Sequence, residues 1–205
     1  MSLDRKEHSR KFAELLFEVL LISVGVFLGL LANNWHEERE HRAQARAALG
    51  NFLEEMQVNT QAIEQYRQYH ERLVRELGLF LGSDQPATND RFQGEVHFQG
   101  LRPVIFEHTA WDLAIATQAL SYLQPDLAFD ISKVYTRQVA FQTLENSFLS
   151  SAYTPATLSA ENQRGLALAM QTYLIDVNLV EPALLNLYKK TMPEIKRALG
   201  RDSSR

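Results

Sequence analysis

The chain has 205 residues, 45% of them hydrophobic, which suits one domain of ordinary size plus a further segment and excludes wholesale disorder. A formal net charge of -4 offers no basic face for nucleic acid, and the absence of cysteine excludes disulfides, thiolate metal sites and cysteine nucleophiles. None of the six prolines precedes Pro86, which favours long helices early in the chain.

Residues 1–11 form a basic N-terminal tail carrying Arg5, Lys6, Arg10 and Lys11. Residues 12–35 read FAELLFEVLLISVGVFLGLLANNW, a transmembrane pattern. Its uninterrupted apolar core, Val19 to Ala32, has 14 residues, and reaching back to Leu15 gives 18 while taking in Glu18. Phe12, Phe17 and Trp35 are placed as interfacial anchors. A cleaved signal peptide fits less well, because Leu30 stands where a small residue is wanted before Ala32. Four basic residues precede the segment, and three more widely spaced ones (Arg39, Arg42, Arg46) follow it. That bias puts the N-terminus in the cytoplasm and the bulk of the chain outside, periplasmic in a single-pass bacterial inner-membrane protein.

One stripe of this helix carries Glu14, Glu18, Gly25, Gly29 and Asn33. It reads either as a helix–helix interface, with a second copy or a membrane partner subunit, or as carboxylates at headgroup level beside incidental glycines.

The stretch FEVLLISVGVFLGLLANNWHEEREHR resembles the start of an uncharacterised family of bacterial single-pass membrane proteins, in which a Glu-containing apolar segment ends in Asn-Asn-Trp and leads into a charged helix. TAWDLAIATQALSYLQPDLAFDISKVY is similar to that family's second half. The resemblance touches about a third of the chain and implies an architecture with no assigned activity and no catalytic residues.

From 36 to 81 a seven-residue pattern sets Leu49, Met56, Ile63, His70 and Leu77 at one core position and Phe52, Asn59, Tyr66, Leu73 and Phe80 at the other. The spacing predicts one long external helix with a narrow packing stripe, for a coiled coil or for one helix of a bundle, with Asn59 and His70 placed to fix register. Gly82-Ser83-Asp84-Gln85-Pro86 stops it. Residues 82–106 read as a loop, with a short hairpin suggested by Val96 and Phe98.

Residues 107–199 read as a helical region packing on 36–81, and 200–205 as a tail. Thr109 and Asp112 suggest a capping pair opening a helix over 109–123, apolar nearly all round and hence expected at the centre of the domain. The next helix, opened by Gln124-Pro125-Asp126, has a face of Leu127, Ile131, Val134, Phe141, Leu144 and Phe148. The last, capped by Ser159, has a face of Leu166, Met170, Tyr173, Val177, Val180, Leu184 and Leu187, with kinks expected at Pro182 and Pro193. The fold class is therefore all-α: a transmembrane helix continuing into a long helix, then an antiparallel bundle of four external helices. The basic cluster Lys189, Lys190, Lys196, Arg197, Arg201 and Arg205 suits lipid headgroups or plain solvation.

His36-Glu37-Glu38-Arg39-Glu40-His41 fails as a zinc motif, because its histidines are five apart and about 140° round the helix from one another. His108, Trp111 and Asp112 are a candidate pocket for a small ligand, with helix capping as the simpler account of Asp112. No nucleophile elbow or phosphate loop is present, so no catalytic, cofactor or metal residues are assigned. The sequence points to a non-enzymatic membrane-anchored protein of assembly or interaction at the cell envelope. The alternative is an extracytoplasmic ligand-sensing domain that signals through a partner.

Overall fold

The computed structural model describes residues 3–152, 154, 159 and 162–202, and the side-chain surroundings of 17–18, 20–152, 154, 159 and 162–200. The protein is all-α. Among the described residues the elements are α1 (Leu3–Gly82), α2 (Asn89–Glu95), α3 (Thr109–Ala116), a 3-10 turn (Ala119–Tyr122), α4 (Pro125–Ala152) and α5 (Gln163–Asp202). The chain divides into two compact units, residues 1–45 and 46–205.

In the first unit α1 has no break at Trp35, and the second unit begins at Arg46 within the same helix. From Phe17 to Leu31 the large apolar side chains described are 46% to 62% exposed on every side of the helix. Among the described residues no helix is long and apolar enough to cross a membrane. The expected span starts at Phe12, and the side chains of 12–16 and 19, Glu14 among them, lie outside those described.

In the second unit the seven-residue stripe of α1 is the core. Nine of its ten positions are buried, Tyr66 alone being intermediate. Residues of the same chain cover it, so the bundle reading of the stripe holds and the coiled-coil reading does not. His70 meets Glu181 and Gly78 faces Gln171, so α5 runs antiparallel to α1. Glu55 meets Tyr135 low on both helices, and His70 feels the charge of Glu145 higher up, so α4 runs parallel to α1. Gln138–Tyr188 and Glu145–Tyr173 set α4 against α5 as an antiparallel pair. Pro125 opens α4, where a missing N–H costs nothing. Pro182 and Pro193 both lie inside α5, which continues through them.

Three long helices are thus present in this unit where four were expected. The proposed helix over 109–123 ends at Ala116, since Gln118 adopts a left-handed backbone (φ 57°) that breaks the helical hydrogen-bond run. Within α3 only Ala110 and Ala114 are buried, while Leu113 and Ile115 are 49% and 53% exposed. This helix caps the bundle beside Phe52 and Tyr135 instead of forming its centre. Two turns of helix are too short to occupy a bundle axis, however apolar they are.

The fourth place is filled by residues 96–108, an extended strap that takes the place of the suggested hairpin. α2 precedes it, capped by Thr88 and held by Arg91, whose guanidinium donates to the carbonyls of Phe80 (2.6 Å) and Gln85 (2.9 Å) and pairs with Glu95 (2.7 Å). Arg91 so caps the C-terminus of α1 and turns the chain back. The strap then descends along α1: His97 beside Glu76, Gly100 beside Tyr69, Leu101 beside His70, Glu107 beside Asn59.

Candidate functional site

An extended segment buried against helices has no ladder partner for its peptide groups, which must then bond to side chains. The strap meets this need residue by residue. Glu76 accepts the N–H of His97 (2.9 Å). The Tyr69 hydroxyl donates to Gly100 O (2.6 Å) and accepts the N–H of Gln99 (3.0 Å). His70 Nε2 donates to Leu101 O (3.1 Å) and Arg102 O (3.2 Å). Glu145 Oε1 accepts the N–H of Val104 (2.9 Å). Asn59 donates to Glu107 O and accepts from Glu107 N, both at 2.8 Å, as a neighbouring strand would. Glu55 Oε2 accepts the N–H of Ala110 (2.8 Å) in the first turn of α3, while its Oε1 accepts the Tyr135 hydroxyl (2.6 Å). The expected cap from Thr109 and Asp112 is replaced by this carboxylate from α1, at the positive end of the helix.

Val104 and Phe106 point inward, while Ile105 and Glu107 point out, an alternation like that of a strand on a buried face. Phe106 packs on Phe141 at 5.4 Å between centroids. Two residues near the turn adopt positive φ, Gly100 (91°) and Arg102 (51°). This twist turns the Leu101 and Arg102 carbonyls together onto one imidazole nitrogen.

Behind the strap lies a buried polar seam. His70 (1% exposed) bonds through Nδ1 to Glu181 Oε1 at 2.7 Å, and Glu181 and Glu145 are both fully buried. Because Nε2 must donate to carbonyls, Nδ1 and Oε1 share a second proton. Burial works against a charged His70, but the bond to and charge of Glu181, with the two carbonyls, outweigh it and raise its pKa. Burial, reinforced by the charge of Glu181, pushes the Glu145 carboxyl up to about 7, against the opposing effects of Val104 N–H, Tyr173 and His70. Burial also raises Tyr135, Tyr173 and Tyr188, so all three stay protonated: Tyr135 and Tyr173 donate to Glu55 and Glu145, while Tyr188 accepts from Gln138. Glu181 Oε2 and Gln138 Oε1 are buried without a hydrogen-bond partner.

The residues singled out by sequence lie elsewhere. His108 Nδ1 bonds to Asp112 at 2.7 Å, both side chains being well exposed, and Trp111 stacks on Tyr135 at 5.0 Å. Trp111 packs among Phe52 and Tyr135, while His108 and Asp112 face solvent. A groove of about 540 Å³ lies between α4 and α5, beside Leu144, Phe148, Leu168 and Tyr173. Glu18, Gly25, Gly29 and Asn33 are exposed; a side chain added at either glycine would meet nothing within 4 Å, and Asn33 donates to Glu37 at 2.7 Å. Among the described residues no group of three or more His, Asp or Glu is placed to hold a metal ion.

Sequence reasoning missed Glu55, Gln138, Glu145 and Glu181. A signal existed for two of them: Glu145 falls in step between Phe141 and Phe148, and Glu181 between Val177 and Leu184, positions where a helix turns inward. Comparison of the chain with family models, with curated proteins and with solved structures finds no match.

Proposed function

We propose that this chain is a non-enzymatic, membrane-anchored helical protein that acts in assembly or protein interaction at the cell envelope. The observation that carries the proposal is the bare apolar surface of α1 between Phe17 and Leu31, exposed around the whole helix. An apolar helix uncovered on all sides matches hydrocarbon as its surroundings, whereas a partner protein would cover one face. Counted from Leu15 to Ala32, with Glu18 included, the run has 18 residues, near the lower limit for a span. On this reading the N-terminus is cytoplasmic, the second unit lies outside the inner membrane, and the lipid bilayer is the first partner.

The stripe of Glu18, Gly25, Gly29 and Asn33 is the proposed contact with a second copy or a membrane partner subunit, since the two glycines leave room for a close helix. The same resemblance that suggested a single-pass family agrees with this arrangement. Alkaline carbonate extraction of membranes is the test, followed by protease treatment of intact and permeabilised cells. The chain should stay with the membrane pellet and its second unit should be cleaved from outside only. Release into the carbonate supernatant would overturn the anchor, and protection of the second unit in cells with a permeabilised outer membrane would overturn the orientation.

A further inference from the structure

We propose that His36 and Glu40 form half of a divalent transition-metal site, completed by the same two residues of a second copy of this chain. The site depends on the pairing of α1 through Gly25 and Gly29 proposed above, and it gives that pair an ion to hold just beyond Trp35. His36 Nε2 lies 3.3 Å from Glu40 Oε1, one helical turn away, and the two side chains are 69% and 60% exposed. A tetrahedral zinc ion with bonds of about 2.0–2.1 Å to nitrogen and oxygen spaces its ligand atoms about 3.3–3.4 Å apart. The pair therefore already stands at the separation that two ligands of one ion require.

The helix puts this pair on the face of the glycines. At about 100° per residue His36 falls about 20° from both Gly25 and Gly29, and Glu40 about 20° beyond Gly29. Ala32 and Ala43 share the face, and every one of these positions is exposed. Neighbouring charged side chains are engaged elsewhere: Glu37 with Asn33, Glu38 with Arg42, and Arg39 over the Trp35 ring. His41 lies about 140° round the helix from His36, off this face.

Two copies inserted in one membrane in the same orientation pair in parallel about a two-fold axis, so each residue meets its counterpart at the same height. With a crossing of about 40° at the glycines, the axes are roughly 12 Å apart at His36, about 13 Å further along each helix. Imidazoles and carboxylates reaching inward from both sides span that gap to one ion. Two Glu40 carboxylates facing across the axis repel each other, and one divalent cation neutralises both. Two imidazoles and two carboxylates make a closed four-coordinate set suited to zinc, whereas magnesium and calcium take a larger shell of oxygens. One chain supplies only two of the four ligands, so the ion joins copies.

The test uses the full, untagged chain in a non-ionic detergent, stripped of metal by chelation, with zinc binding followed by calorimetry and chain number by native mass. The metal-free chain should be a dimer in equilibrium with monomer. Zinc should bind at one ion per two chains and lower the dimer dissociation constant at least about tenfold, and magnesium should do neither. His36→Ala and Glu40→Ala should each weaken zinc binding at least about tenfold while the metal-free dimer persists, and His41→Ala should change neither. A metal-free dimer that binds no zinc, or binds it unchanged in His36→Ala, would overturn the metal site and leave the glycine pairing standing. One zinc ion per chain would likewise overturn the shared site. A chain that stays monomeric with and without zinc would overturn both site and pairing.

Discussion

Replacing Glu55 tests whether one carboxylate joins three elements. Its Oε1 accepts the Tyr135 hydroxyl of α4 and its Oε2 accepts the Ala110 N–H of α3, with the side chain itself buried on α1. Glu55→Ala leaves a buried hydroxyl and a buried N–H without an acceptor, each costing roughly 1–3 kcal/mol. Relief of the desolvated carboxylate offsets part of that sum, so a loss of about 3 kcal/mol is expected. Glu55→Gln behaves differently. Its Oε1 takes the Ala110 N–H and its amide donates to the Tyr135 oxygen, which keeps both links but leaves the hydroxyl proton without an acceptor, at a cost of about 1 kcal/mol. Tyr135→Phe removes one donor from a carboxylate that keeps the other, and should fall between the two at about 2 kcal/mol. The assay is urea unfolding of the full chain in a fixed detergent at pH 7, reading midpoint and slope together. Equal effects of Ala and Gln, or an Ala variant within about 0.5 kcal/mol of wild type at unchanged slope, would refute the clamp.

Asn59→Asp sets a carboxylate against the Glu107 carbonyl and removes the donor, so it should destabilise more than Asn59→Leu at pH 7. The introduced carboxyl has a raised folded pKa, so unfolding at pH 4 should show most of that excess recovered and at pH 7 none of it. Arg91→Ala should expose the 83–95 turn to limited proteolysis at low protease concentration while the bundle stays resistant. Arg91→Lys should not rescue it, because a point charge cannot reach Phe80 O, Gln85 O and Glu95 together. Gly25→Leu with Gly29→Leu should reduce crosslinked or native-mass oligomer in detergent, and unchanged association would leave α1 a plain anchor there.

The long helix was legible because its pattern is local. Ten positions at seven-residue spacing predict the buried stripe, and Tyr66 alone escapes full burial. Parts of the α4 and α5 faces were legible for the same reason, through Ile131, Phe141, Met170, Tyr173 and Leu184. The strap was not. Its peptide groups are satisfied by side chains 21 to 48 residues away, such as Glu76 for His97 and Asn59 for Glu107, and no short-range pattern encodes that pairing. Nor was the shortness of α3 legible: Gln118 breaks it through a backbone conformation, and neither Gly nor Pro marks the place.

Asn59 and His70 change meaning once the strap is in view. In a stripe of Leu, Met, Ile and Phe they read as register devices that weaken packing. In the fold each bonds to a peptide group of the strap, so the pattern of polar interruptions along α1 is the complement of one extended backbone. Economy of length explains why that backbone is extended. From Glu76 back to Asn59 the helix rises about 26 Å, and a fourth helix would need about 17 residues to retrace it. The strap retraces it from His97 to Glu107, where ten extended residues reach up to about 35 Å. A helix would have satisfied its own peptide groups and allowed an entirely apolar stripe. The extended solution instead requires hydrogen-bonding side chains from α1 and α4, which is why polar residues are set into otherwise apolar helix faces.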